Sequence, residues 1–270
     1  MTSELGERIA VGRTAEVYAW GEDRVVKVLR PGFPDRLGEA EAVAAELTGQ
    51  AGIDAPAFHG TIRINGRFGL IYERREGPSM VDVLSARPWS LRRLAATFAG
   101  LHAGMHASDG SGLPDFRPPL VRAVERGAAS LPPGVRDATL RAIEALPGGT
   151  AILHGDMHPG NVVLTPSGPA VIDWMTASSG PPAADVARTL FLVRDSGLPQ
   201  DMPAVRRRLI GLLRRRFASA YLAAYRRSLG LDAAQLRGWR LPILVARLDD
   251  DIEPELPVLR RLIAAELRGE

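Results

Sequence analysis

Short runs of alternating apolar and polar residues dominate the first 76 residues, and that alternation is typical of β-strands. The runs are separated by turn residues, of which Asn65-Gly66 is the strongest hairpin signal. Residues 35–50 differ, because their apolar residues recur at helical spacing. The pattern therefore predicts a small antiparallel sheet with one helix within residues 1–76.

From residue 77 onward the apolar residues follow mostly helical spacing. A polar connector, residues 73–78, separates this part from the first. Residues 175–182 are predicted as a loop of small residues, and Pro242 is expected to start or interrupt its helix. The predicted helices cover residues 91–105, 120–128, 134–145, 183–194, 201–228, 236–247 and 258–268. The second part, residues 77–270, is therefore predicted to be larger and mainly helical.

Three short apolar runs, residues 151–153, 162–164 and 170–172, surround the most informative polar residues. They predict a strand, a polar loop, a strand, a turn and a strand, with Asp156, Asn161 and Asp173 on one side. An aspartate can orient or deprotonate a hydroxyl. An asparagine and a second aspartate can bind magnesium through hard oxygen ligands. Kinase catalytic loops use these residue types at this spacing, whereas a purely structural turn is the alternative.

The composition of the chain singles out one basic side chain, that of Lys27, as a candidate functional group. Arginine accounts for 33 of the 34 basic residues, and Lys27 is the single lysine. A flexible ammonium suits phosphate oxygens, so Lys27 is predicted to bind phosphate from its strand rather than to face water at a sheet edge. One of Glu39, Glu41 and Glu46 could pair with it, although each by itself also fits a solvated helix face.

Charge and composition argue against several classes of protein. The net charge of +3 is small for 270 residues, so the arginine-rich helix at 201–228 is read as a solvated face. No apolar run approaches the ~20 residues of a membrane span. The chain has no cysteine, and its first seven residues do not resemble a signal peptide. We expect a cytoplasmic protein that binds neither nucleic acid nor membrane, as a monomer or a dimer.

Other polar groups allow two readings each. His102 and His106 are four residues apart on one predicted helix and could in principle bind a metal, but the sequence indicates no third ligand. Asp185 is expected to cap its helix or to brace the backbone of the central loop.

An acidic segment near the C-terminus runs against the basic trend of the chain. It includes Asp249, Asp250 and Glu253. The segment is read either as part of a pocket for a cationic substrate or as a solvated loop between helices.

Together these motifs resemble the aminoglycoside phosphotransferase family, which comprises small-molecule kinases with the bilobal protein-kinase-like fold. The resemblance is strongest at Leu153 to Asn161 and at Ile172 to Trp174. It implies an α+β fold in which residues 1–76 form an N-lobe with a small antiparallel sheet and one helix. Residues 77–270 would form the larger, mainly helical C-lobe, and ATP and Mg²⁺ would be the cofactors.

The resemblance also implies a role for each matching residue. Asp156 would be the catalytic aspartate and His154 would support its loop, while Asn161 and Asp173 would hold magnesium. Asp185 would be the bracing aspartate. The expected nucleotide-binding residues are Gly12, Thr14, Lys27, Glu41, Tyr72, Glu73 and Arg75.

Two of these assignments need explanation. Glu41 is preferred to Glu39 as the partner of Lys27, because its distance along the chain to residues 52–56 suits the family pattern. The connector from Glu73 to Arg75 would meet adenine through its backbone.

The expected function is transfer of the γ-phosphoryl group of ATP to a hydroxyl of a small molecule. The acidic segment slightly favours a cationic acceptor such as an aminoglycoside. The alternatives are a non-catalytic nucleotide-binding regulatory module and a protein Ser/Thr kinase. Trp174 stands where protein kinases have Phe-Gly, and the chain has no Ala-Pro-Glu segment, so a protein kinase is disfavoured.

Overall fold

A computed structural model describes residues 5–198 and 201–269. Residues 1–4 of the predicted N-lobe lie outside the described residues, as do 199–200 and 270. Backbone contacts divide the chain into two compact units. Unit 1 is the described part of Met1–Met80 together with Gly160–Ala177, and unit 2 is Val81–Pro159 together with the described part of Ser178–Glu270. The predicted α+β class is confirmed.

Unit 1 contains a five-stranded sheet in which every neighbouring pair of strands is antiparallel. The strands are β1 (Arg8–Val11), β2 (Ala15–Trp20), β3 (Arg24–Leu29), β4 (Phe58–Ile64) and β5 (Arg67–Glu73), in the order β1-β2-β3-β5-β4. Helix α1 (Arg36–Gln50) packs on this sheet. Its Ala45 is buried with Leu70 and Tyr72 of β5, so apolar burial fixes the helix against the strand.

A second hairpin belongs to the same unit although it comes about 80 residues later in the chain. It consists of β7 (Val162–Thr165) and β8 (Gly168–Val171). The N–H of Leu164 donates to the carbonyl of Pro78 at 2.9 Å, and the N–H of Val171 donates to that of Asp54 at 2.7 Å. These bonds hold the hairpin in unit 1, and with it the residues at its open end.

Unit 2 is mainly helical, as predicted for most of its length. Its two short strands, β6 (Ala151–Leu153) and β9 (Ser178–Gly180), pair antiparallel. Its helices are α2 (Met80–Ala86, whose first residue lies in unit 1), α3 (Leu91–His106), α4 (Arg117–Gly127), α5 (Val135–Ala145), α6 (Pro182–Leu190, continued by a π-helical turn over Phe191–Asp195), α7 (Ala204–Leu229), α8 (Ala233–Arg247) and α9 (Leu256–Arg268).

Helices α3 and α7 form the centre of unit 2. Phe98 of α3 contacts Phe217 and Tyr221 of α7 edge to face, with ring centroids 5.6 and 5.2 Å apart. One turn further along α3, His102 also contacts Tyr221, and after another turn His106 contacts Tyr225. The two helices therefore run in the same direction with their aromatic faces together.

Three local expectations were incomplete or wrong. Helix α2 was not predicted, because seven residues are too few to establish a helical period. Strand β9 lies in the segment expected to be loop, since pairing with β6 rather than residue type makes it a strand. Pro242 neither starts nor interrupts α8. The cost of a missing helical N–H is outweighed there by buried neighbours such as Trp239 and Ile243.

Among the described residues, none of the helices combines the length and the apolar character that crossing a membrane requires.

Candidate active site

The single lysine lies at the centre of a group of charged side chains in unit 1, which we call the lysine cluster: Lys27, Glu41 and Asp173. Lys27 Nζ lies 2.8 Å from both carboxylate oxygens of Glu41 and 2.6 Å from Asp173 Oδ1. These residues come from β3, from α1 and from the end of the β7–β8 hairpin. Of the glutamates that the sequence left open, Glu41 is therefore the one that contacts the lysine.

Burial within the lysine cluster is graded. The Glu41 side chain is 1% exposed and Lys27 is 12% exposed, whereas Asp173 is 46% exposed. The Tyr72 hydroxyl donates to Glu41 Oε1 at 3.2 Å and so supports the cluster from the core side. An ammonium fixed on one side by a buried carboxylate presents its remaining charge toward the exposed side, where a phosphate oxygen can approach.

The electrostatics keep the lysine charged. Burial alone would lower the pKa of Lys27, but the charges of Glu41 and Asp173 outweigh burial and raise it. Burial raises the pKa of Glu41, against the opposing effect of Lys27. Burial also raises the pKa of the Tyr72 hydroxyl, with the nearby Glu41 charge adding to the effect, so this hydroxyl stays a donor. A positive Lys27 is what binding to phosphate requires.

The two predicted magnesium ligands flank the open end of the β7–β8 hairpin. The N–H of Ile172 donates to the carbonyl of Asn161 at 3.0 Å, so Ile172 lies opposite Asn161 and Asp173 is the next residue along the chain. Asp173 has a positive φ of 69°, a conformation that residues other than glycine rarely adopt. An amide oxygen and a half-exposed carboxylate are hard oxygen donors, and this donor set fits Mg²⁺.

Gly12 and Thr14 form the turn between β1 and β2. The N–H of Gly12 donates to the carbonyl of Ala15 at 2.8 Å, and the N–H of Arg30 donates to that of Thr14 at 2.8 Å. The turn is thus an ordered hairpin with Gly12 exposed. Its contact with a nucleotide stays a prediction.

The connector residues after β5 are already engaged with their neighbours in unit 1. The N–H of Glu73 donates to the carbonyl of Ala57 at 2.8 Å, and the Glu73 carboxylate lies 3.0 Å from Arg75 Nε. Arg75 Nη1 also donates to Ser167 Oγ at 3.2 Å. Tyr72 directs its hydroxyl to Glu41 rather than outward. Recognition of adenine by this connector stays a prediction.

The loop with the predicted catalytic aspartate lies in unit 2, directly after β6. Gly155 has a φ of 77°, which a residue with a Cβ rarely adopts. Asp185 holds this backbone: its Oδ2 accepts from the N–H of His154 at 2.7 Å and its Oδ1 accepts from that of Gly155 at 3.1 Å. At the start of α6 the N-cap position is Pro181, without a side-chain cap, so Asp185 acts on the loop and not as a cap.

Asp156 itself follows this braced segment. Its N–H donates to Nδ1 of His154 at 3.2 Å, and its carboxylate is about one third exposed. Nε2 of His158 lies 3.8 Å from Asp156 Oδ2, although no role was predicted for His158. The aspartate therefore combines an accessible carboxylate with a backbone that its neighbours hold in place.

Asp185 is also the centre of a group that we call the buried brace: Asp185, His102, His106, Tyr221 and Tyr225. The Nε2 atoms of His102 and His106 lie 3.2 and 3.3 Å from Asp185 Oδ2. Their Nδ1 atoms lie 2.7 Å from the Tyr221 hydroxyl and 2.6 Å from the Tyr225 hydroxyl. All five side chains are buried.

The expectation that the two histidines lack a third ligand-type neighbour was wrong. Ligand atoms of His102, His106 and Asp185 all lie within 4.8 Å of one another. The sequence could not indicate this, because Asp185 follows His106 by 79 residues. Hydrogen bonding to tyrosines and to the carboxylate accounts for both ring nitrogens of each histidine, and no metal is needed to explain the arrangement.

The buried brace has strongly shifted acid–base properties. Burial lowers the pKa of His102 to about 4, and the neighbouring His106 contributes in the same direction. Burial alone would raise the pKa of Asp185, but hydrogen bonds from His102 and His106 hold it well below its ordinary value. Asp185 is therefore an ionised acceptor at the centre of the brace, and His102 beside it is neutral near pH 7.

The acidic segment near the C-terminus has arginine partners. Asp249 accepts two hydrogen bonds from Arg126, at 2.7 and 2.6 Å. Asp250 accepts one from Arg247 at 2.8 Å. Glu253 is exposed. A cationic acceptor would have to compete with both arginines, and a substrate role for these three residues stays a prediction.

Comparison with known proteins gives one family match. Residues 6–239 match the phosphotransferase enzyme family. No curated protein sequence matches the chain.

Solved structures of several enzymes share the fold. An aminoglycoside-3'-phosphotransferase of type VIII aligns with a TM-score of 0.62 and 21% identity, over 90% of this chain and 91% of that one. A streptomycin–ATP–APH(2")-IIa ternary complex gives 0.59 and 14%, over 98% and 91%. A choline/ethanolamine kinase family protein from Mesorhizobium loti gives 0.55 and 19%, over 99% and 87%. The predicted protein-kinase-like fold is thereby confirmed.

Proposed function

We propose that this chain, which belongs to the phosphotransferase enzyme family, moves the γ-phosphoryl group of ATP to a hydroxyl of a small molecule. The observation that carries the proposal is the lysine cluster. The chain has one lysine, and that lysine contacts a buried glutamate and a half-exposed aspartate at the end of a hairpin. Such an arrangement is better explained as a binding site for a nucleoside triphosphate and its metal than as a structural ion pair.

In this proposal Lys27 binds the α- and β-phosphates, and Glu41 keeps its ammonium in position. Asn161 and Asp173 would hold Mg²⁺, which when bound offsets the charge of the phosphate oxygens. The turn at Gly12 and Thr14 is proposed to contact the phosphates through backbone N–H groups other than that of Gly12, which already donates to Ala15. The ATP of the streptomycin ternary complex supports this choice of nucleotide.

Asp156 is proposed to act on the acceptor. Its carboxylate orients the hydroxyl and takes its proton as the oxygen attacks the γ-phosphorus. The bond from the γ-phosphorus to the bridging oxygen breaks, and ADP leaves. Most of the rate enhancement would come from positioning and from offsetting phosphate charge, since the transition state of phosphoryl transfer is loose.

The acceptor is proposed to be a small cationic alcohol. Support comes from the named acceptors of the structural neighbours, because aminoglycosides, choline and ethanolamine all carry a hydroxyl beside a cationic nitrogen. The acidic segment adds little support, since two of its carboxylates are bonded to arginines. A reaction that consumes ATP needs the cytoplasmic nucleotide pool, and the proposal places the enzyme there.

A screen of acceptors tests the proposal. Release of ADP from magnesium ATP is measured with aminoglycosides, choline, homoserine, sugars, macrolides and a protein such as casein, and phosphorylated products are identified by mass. Acceptor-dependent ADP release with a phosphorylated small molecule is expected. Slow ATP hydrolysis that no acceptor stimulates would favour a regulatory nucleotide-binding module. Transfer to casein alone would favour a protein kinase.

A further inference from the structure

The hydrogen-bond geometry of the buried brace restricts where its protons lie. Asp185 is ionised, because hydrogen bonds from both histidines hold its pKa well below the ordinary value, so its oxygens can only accept. The Nε2 atoms of His102 and His106, which face Oδ2, must therefore carry hydrogen. The pKa of His102 is about 4, so near pH 7 its imidazole has a lone pair on Nδ1 and the hydroxyl of Tyr221 must be the donor. The Tyr225 hydroxyl shares the equivalent hydrogen bond with Nδ1 of His106.

The same spacing recurs on both helices. His102 and His106 are four residues apart on α3, and Tyr221 and Tyr225 are four residues apart on α7. Each tyrosine is 119 residues from its histidine, so the two pairs are equivalent steps along two parallel helices. Both pairs converge on one carboxylate oxygen, which also accepts the N–H of His154.

We propose that Tyr221 and Tyr225 are positioning residues for the catalytic loop, which act by fixing the ring orientation of His102 and His106 on Asp185. An imidazole held at Asp185 alone can rotate about its Cβ–Cγ bond, whereas one held at both nitrogens cannot. Fixed rings keep Asp185 in place, and Asp185 keeps the backbone of His154 and Gly155 in the conformation that precedes Asp156.

The inference rests on the proposed function only for its effect on catalysis. The effect on the loop can be measured without any acceptor. The nucleotide-binding residues Lys27, Asn161 and Asp173 lie in the other unit, so loss of a tyrosine hydroxyl should change turnover and not nucleotide affinity.

Two single variants, Tyr221→Phe and Tyr225→Phe, test the proposal, with Tyr18→Phe as the matched control. Tyr18 lies on β2 and donates to Glu16, away from the buried brace. The first readout is hydrogen exchange at the amides of His154 and Gly155. We expect exchange to be roughly tenfold faster in each brace variant and unchanged in Tyr18→Phe. Unchanged exchange in folded brace variants would overturn the proposal.

The second readout is the ¹⁵N spectrum of the histidine rings. The wild-type protein should show hydrogen on Nε2 of both rings and a neutral His102. Tyr221→Phe should shift the Nδ1 signal of His102 and Tyr225→Phe that of His106, so each variant controls for the other. A wild-type spectrum with hydrogen on Nδ1 of His102 would contradict the proton arrangement, and signals that shift on addition of zinc would indicate a metal site instead.

The third readout is kinetic. ATP turnover should fall about five- to tenfold in either variant, while the Kd for a non-hydrolysable ATP analogue stays within about twofold of wild type. A weaker Kd with unchanged turnover would overturn the proposal. If the wild-type protein transfers no phosphate at all, the proposed function fails, and hydrogen exchange and the ¹⁵N spectra still decide the role of the tyrosines.

Discussion

Acidification should destabilise the folded protein through one buried histidine. His102 is fully buried, and burial lowers its pKa from the ordinary 6.5 to about 4. The unfolded chain therefore takes up this proton first as the pH falls. The contribution to stability is fully present above about pH 6.5 and is lost as the pH falls toward 4.

The size of this destabilisation follows from the interval between the ordinary pKa of His102, 6.5, and its pKa of about 4 in the folded protein. Each pH unit between them is worth about 1.4 kcal/mol, so the free energy of unfolding should fall by about 3 kcal/mol between pH 7 and pH 4 from this group. The groups that face His102 are His106 on its own helix, Asp185 on α6, Tyr221 and Tyr225 on α7, and His154 in the loop after β6. Asp185 remains ionised over this range, because its pKa is held low.

Urea denaturation followed by circular dichroism, repeated from pH 7 to pH 4, measures the effect. In His102→Gln, the amide oxygen can accept from Tyr221 and the amide nitrogen can donate to Asp185, so both bonds persist without a titrating ring. Between pH 7 and pH 4, we expect the free energy of unfolding of this variant to fall by about 3 kcal/mol less than that of wild type. The exposed His59 supplies the control, and His59→Gln should keep the wild-type pH dependence. Equal pH dependence in His102→Gln and wild type would refute the reasoning.

Three further substitutions test the charge and packing of unit 1. Glu41→Ala leaves the buried Lys27 without its glutamate, and we expect the free energy of unfolding, measured by urea denaturation, to fall by about 3 kcal/mol. A fall of less than about 1 kcal/mol would show that the pair contributes little to stability. Gly38 of α1 lies so close to the Phe68 ring that an added Cβ would overlap it, and Gly38→Ala should cost about 1–3 kcal/mol. Gly49 on the same helix has open space, so Gly49→Ala should be neutral or stabilising by up to about 1 kcal/mol. Equal effects of the two glycine variants would contradict this.

Local patterns predicted the elements that carry the lysine cluster. The strand around Lys27, the helix with Glu41 and the strand before Asp173 each have a clear period in the sequence. The choice of Glu41 over its neighbours was less certain, because the apolar period of α1 alone does not show which glutamate faces the sheet. The structure decides it, since Glu41 is buried against Lys27 and Tyr72.

The buried brace could not be predicted in the same way. Its hydrogen-bonded partners are 79 to 119 residues apart in the chain, so only the packing of α3, α6 and α7 brings them together. The repeated four-residue spacing of two histidines and two tyrosines was visible in the sequence. Nothing in the sequence indicated that the two pairs face each other, since helical apolar spacing does not specify which helices are neighbours.

In the proposed mechanism Asp156 acts on the acceptor hydroxyl, while residues of unit 1 bind the nucleotide. The most direct test compares Asp156→Asn with wild type in single-turnover transfer from magnesium ATP and in the Kd for a non-hydrolysable ATP analogue. We expect transfer to fall by about 10²- to 10⁴-fold while the Kd changes less than about twofold. Transfer at the wild-type rate by Asp156→Asn would contradict this mechanism.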